Sequence, residues 1–79
     1  MDKELQEYYE SRFTMFTTKG WKDLVEDLQR IKKSIRVEDI PDEQTLFVRK
    51  GELRLINYLL SLKEVSDKTY QDLQNEDSV

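Results

Sequence analysis

Residues 21–35 read WKDLVEDLQRIKKSI. In this run Trp21, Leu24, Leu28, Ile31 and Ile35 follow one another at spacings of 3, 4, 3 and 4. That is the a/d seam of a heptad, which a helix places along one stripe, and Val25 widens it. Asp23, Glu26 and Asp27 come early; Arg30, Lys32, Lys33 and Arg36 come late. Acids near the N-terminus and bases near the C-terminus complement the helix dipole. The run therefore predicts a helix over about 18–36. Thr17 and Thr18 before it are N-cap candidates, because a hydroxyl can accept a free backbone N–H. Gly20 then falls in the first turn, where glycine is least harmful.

Moving toward the N-terminus, Leu5, Tyr9, Phe13 and Phe16 recur at helical spacing, flanked by Tyr8 and Met15. They predict a first helix over about 3–16, with a break near Thr17. Moving the other way, Val37-Glu38-Asp39-Ile40-Pro41-Asp42 reads as a turn. Pro41 disfavours a helical Ile40, and Asp39 or Asp42 can cap the next helix. Beyond it, Leu53, Leu55, Ile56, Tyr58, Leu59, Leu60 and Leu62 cover most of a helix circumference. Such a helix needs more than one packing partner. The stripe Tyr58, Leu62, Val65, Thr69, Leu73 carries it on, predicting a long third helix over about 42–73. Residues 75–79 are expected to fray.

Gly20, Gly51 and Pro41 are the only glycines and proline in 79 residues. Strands need turns, and turns usually need these residues. The expected fold is all-α: an antiparallel helical hairpin or three-helix arrangement (3–16, 18–36, 42–73) in one small domain spanning 1–79. With a pivot near Asp39 and Ile40, residue n opposes roughly residue 79 − n. Leu28 then faces Gly51, and a close crossing there would justify a mid-helix glycine that costs about 1 kcal/mol relative to alanine. Trp21 falls near Tyr58, and the first helix falls beside Val65 to Leu73.

Composition narrows the chemistry. The chain has no cysteine and no histidine, so thiolate chemistry, disulfides and the usual zinc, copper and haem ligands are absent. Glu4, Glu7 and Glu10 line one helical face, which reads as a solvated surface near a helix N-terminus and not as a cation site. No Gly-rich phosphate loop and no nucleophile–base pair is present. Neither an enzyme nor a cofactor or metal site is expected. The net charge of −4 argues against general attraction to nucleic acid or membrane. No apolar run approaches a membrane span, and Met1-Asp2-Lys3-Glu4 is no signal core. The expected location is the cytoplasm of a host cell or a virion.

Two sets of residues suggest contact with partners. The aromatics Tyr8, Tyr9, Phe13, Phe16 and Trp21, with Leu55, Tyr58, Leu59 and Leu62, exceed what a thin core can hide. A surplus of this kind marks a protein interface. Arg30, Lys33, Arg36, Arg49, Lys50 and Arg54 gather in one half of the molecule. They suit phosphate or, more readily, an acidic protein partner. A thin core also makes a homo-oligomer an expected route to stability.

Tyr8-Tyr9-Glu10 with residues 15–24, MFTTKGWKDL, and residues 47–53, FVRKGEL, leading into Ile56-Asn57-Tyr58-Leu59, resemble short proteins of tailed bacteriophages, marine podovirus-like phages in particular. The resemblance spans roughly residues 5–73 and carries over no functional residues. It implies a phage origin and an expected role as a virion or assembly protein. A small regulator of a host enzyme and a DNA-packaging accessory are the alternatives.

Overall fold

The computed structural model describes residues 1–77. Four α-helices run in order: α1 (Lys3–Phe16), α2 (Lys19–Ser34), α3 (Glu43–Leu60) and α4 (Leu62–Asp77), with a 3-10 turn at Val37–Asp39 between α2 and α3. No strand occurs among the described residues. α1 and α2 begin as the sequence indicates. Asp2 caps α1 by accepting the Leu5 N–H at 2.8 Å. Thr18 caps α2 by accepting the Trp21 N–H at 3.1 Å, while its hydroxyl donates to the Met15 carbonyl at 2.7 Å.

Of the two acids that could start α3, Asp42 does so. Its carboxylate accepts the Thr45 N–H at 2.7 Å and the Thr45 hydroxyl at 2.9 Å. These bonds, the backbone one first, hold its carboxyl below the ordinary aspartate value.

The long third helix is interrupted. Ser61 stands between α3 and α4 with φ −94° and ψ 0°. The hydrogen-bond ladder passes through it: Ser61 N–H donates to Asn57 O at 3.1 Å, and Val65 N–H to Ser61 O at 3.0 Å. The Ser61 hydroxyl donates back to the Tyr58 carbonyl at 3.0 Å. Such back-bonding competes with the ladder and bends helices. The Thr17–Thr18 break is of another kind, because Thr18 is fully extended at ψ 152°. The helix also outlasts its expected end, so residues 75–77 are helical; residues 78 and 79 lie outside the described ones.

The arms pair as an antiparallel hairpin. α2 packs on α3 and α1 packs on α4. The Met1 ammonium pairs with Asp77, and Arg12 Nη1 lies 3.5 Å from Ser66 Oγ. The two breaks therefore face each other midway along the hairpin. The molecule measures 53 × 29 × 16 Å. Two straight helices side by side would be about 20 Å wide, so the arms do not run as two straight parallel rods.

The core is thin. Phe16, Leu28, Ile56 and Leu62 are its buried apolar residues, with Ser66 the most enclosed at 2% exposure. The radius of gyration is 16.8 Å, against about 11.6 Å for a compact chain of this length. The chain exposes 6364 Å², against about 5,100 Å² for a compact monomer of this mass. No helix among the described residues is long and apolar enough to cross a membrane.

One expectation about register fails. Nothing lies within 4 Å of where a Cβ on Gly51 would sit, so no close crossing explains that glycine. Trp21 borders a cleft with Lys63, five residues past Tyr58. The 3-10 turn and the residues around Pro41 lengthen the connection and move its pivot past Ile40.

Candidate functional site

The early aromatics divide between core and surface. Phe13 meets Tyr70 edge to face, 5.3 Å apart, and Tyr9 lies 5.8 Å from the same ring. Phe16 packs 5.0 Å from Trp21. These rings join α1 to α4 and α1 to α2, so their first duty is internal. Phe16 and Leu62 are buried, at 6% and 8% exposure, so they serve the core first, which corrects their placement among interface candidates. Tyr9, Phe13, Trp21 and Leu59 are half-buried. Tyr8, Leu55 and Tyr58 are exposed. Tyr8 carries the Arg12 guanidinium over its ring at 4.5 Å and takes a hydrogen bond with it through the hydroxyl.

Further exposed apolar side chains lie where sequence reasoning assigned core or nothing. They are Met15, Leu24, Ile31, Val37, Phe47, Val48 and Val65. Their spacing is regular. Leu24 and Ile31 are seven apart, as are Val48 and Leu55, Tyr8 and Met15, and Tyr58 and Val65. Two helical turns bring a residue back nearly to the same line, so each of the first three pairs forms a row along its helix, while Tyr58 and Val65 stand on either side of the Ser61 break.

The rows on α2 and α3 share one side of the hairpin. A cleft between the two helices is lined by Ile31 and Ser34 from α2, by Ile35, Arg36, Asp39 and Ile40 from the connection and by Arg49 and Glu52 from α3. Leu24 continues the Ile31 row. Val48 and Leu55 stand one turn either side of Glu52, at i−4 and i+3. The result is an apolar face two helices wide, with Leu55 60% exposed at its centre. Glu52 pairs with Arg49 at 2.7 Å, and Asp27 at its border pairs with Arg30 at 2.9 Å. The charges around the face are thus neutralised locally. Along the α3–α4 arm the exposed band continues as Tyr58 and Val65. Near it Tyr8 and Met15 open into a cleft over Leu62.

The opposite side of α2 and α3 is basic. There a shallow cleft is lined by Gln29, Lys32, Lys33, Arg36, Glu38 and Leu60. Of the six basic candidates, Arg30 and Arg49 are held in the pairs just described. Arg36 lies 3.4 Å from Glu38 and 3.8 Å from Asp39. Lys33, Lys50 and Arg54 have no ion pair among the described residues. Lys32, another of the late bases of the 21–36 run, joins Lys33 and Arg36 in this cleft.

Among the described residues no cluster of three or more acids could hold a metal ion. The signal for Leu24 and Ile31 was present in the chain. A stripe as wide as Trp21, Leu24, Val25, Leu28, Ile31 and Ile35 cannot be covered whole by one antiparallel neighbour. Compared with protein-family models, curated proteins and solved structures, the chain finds no match.

Proposed function

We propose that this chain is a non-catalytic interaction protein that docks through the apolar face of α2 and α3. The observation that carries this is the row geometry of Leu24, Ile31, Val48 and Leu55 on one side of a two-helix layer. Soluble monomers rarely leave contiguous apolar patches of this kind uncovered, and such patches mark interfaces. Helices in one layer also leave their stripes half buried, and a second layer completes the fold.

The phage resemblance favours a virion-associated or assembly subunit as the specific form of this role. Mass spectrometry of purified particles is the test. A fixed copy number for wild type, lost on Leu55→Glu, is the expected result. Absence of the wild-type chain from particles rejects the virion form.

The basic cleft supports a second reading, phosphate contact by Lys32, Lys33 and Arg36. Affinity for duplex DNA at low salt that falls steeply with salt and with Lys33→Glu would favour it. No binding at low salt removes it.

A further inference from the structure

We infer that the occupant of the α2–α3 face is a second copy of this chain, stacked antiparallel to form a four-helix bundle. This rests on reading that face as a docking surface and names its partner.

Area is the first ground. The chain exposes 6364 Å², about 1,300 Å² more than a compact monomer of its mass. A standard interface removes about 800 Å² from each partner. The surplus, spread over the whole elongated chain, is of the size that a stable dimer covers. Width is the second. The Leu24–Ile31 and Val48–Leu55 rows lie on two neighbouring helices, so a single docked helix would fill the groove and leave both rows partly wet. A hairpin of equal width covers both, and one is supplied by the chain itself. Two such layers give the helix–helix packing of a four-helix bundle.

Charge sets the direction. Residues 18–60, which hold the face, carry nine basic and eight acidic residues. Residues 1–17 and 61–79 carry four basic and nine acidic. Self-association of a chain with net charge −4 is thus least opposed where α2 and α3 meet. Antiparallel stacking sends the two acidic halves to opposite ends. Parallel stacking would set them side by side. In the antiparallel pair a two-fold axis repeats every contact, so residue i against residue j is matched by j against i.

The test uses the full chain. Light scattering after size exclusion should give twice the 9.6 kDa chain mass for wild type. Ile31→Glu and Leu55→Glu should each give a monomer with unchanged helical circular dichroism, because both side chains are exposed in the single chain. The chain has no cysteine, so a spin label at Glu7→Cys reports direction. Labels on the order of 60–70 Å apart, from 1.5 Å rise per residue on each side of the axis, support the antiparallel pair. Labels within about half that distance overturn it. A wild-type monomer overturns the second-copy inference. If that monomer still needs Leu55 to enter a particle, the docking reading survives without it. If Leu55→Glu enters particles as wild type does, both fall.

Discussion

The Tyr70 ring meets Phe13 edge to face, with centroids 5.3 Å apart and planes at 89°. This contact holds α1 against α4, in the half of the molecule where Phe16, Leu62 and Ser66 are the buried residues among those described. Phe13→Ala should therefore destabilise by about 2 kcal/mol, less than a fully buried ring because Phe13 is only half-buried. Urea unfolding checks the magnitude. Amide exchange checks the location: protection should fall in α1 and α4 and persist in α2 and α3.

The two helix breaks should respond with opposite sign. Thr18 is the N-cap of α2, and Thr18→Ala should destabilise by about 1 kcal/mol. Ser61 has no capping duty, since the backbone ladder passes through it. Ser61→Ala removes the back-bond to Tyr58 and introduces the best helix former, so it should stabilise by about 0.5 kcal/mol. Thermal unfolding of the two variants distinguishes the breaks directly.

Gly51→Ala should also stabilise, by about 1 kcal/mol. An added Cβ meets nothing within 4 Å, and the backbone φ there is negative. A destabilised variant by urea unfolding would mean that Gly51 is closely approached after all.

Asp42 links the start of α3 to pH. Its folded value lies below the ordinary 3.8 because Thr45 donates two hydrogen bonds to the charged carboxylate. A depressed carboxylate contributes stability that is fully present above its unfolded value. The contribution is lost as pH falls through the lower folded value. Acid titration should show stability falling below about pH 4. Asp42→Asn keeps a capping oxygen and should flatten that part of the curve.

Fold class was readable from the 3, 4, 3, 4 spacing in residues 21–35 and from the scarcity of glycine and proline. α1 falls where its apolar spacing puts it. The break at Ser61 was not readable, because serine is compatible with a helix interior until its hydroxyl bonds backward. Register slipped because opposing residues depend on how the chain turns between Ile35 and Asp42. The face of Leu24, Ile31, Val48 and Leu55 was only half legible. Periodicity marks which residues want burial, and it does not say which of them the fold's own partner reaches. The aromatics were overcounted as surface for the same reason: Tyr70, far along the chain, supplies the ring that Tyr9 and Phe13 need.

The hairpin topology also orders events during synthesis. α2 and α3 are joined by a short connection and can pair as soon as α3 leaves the ribosome. α1 is made first, yet its partner α4 is made last. Loop closure between their far ends spans nearly the whole chain, and contacts across that span form late. Until then Tyr9 and Phe13 lack the Tyr70 ring they pack against. The newborn chain therefore passes through a stage at which its N-terminal segment is its stickiest part.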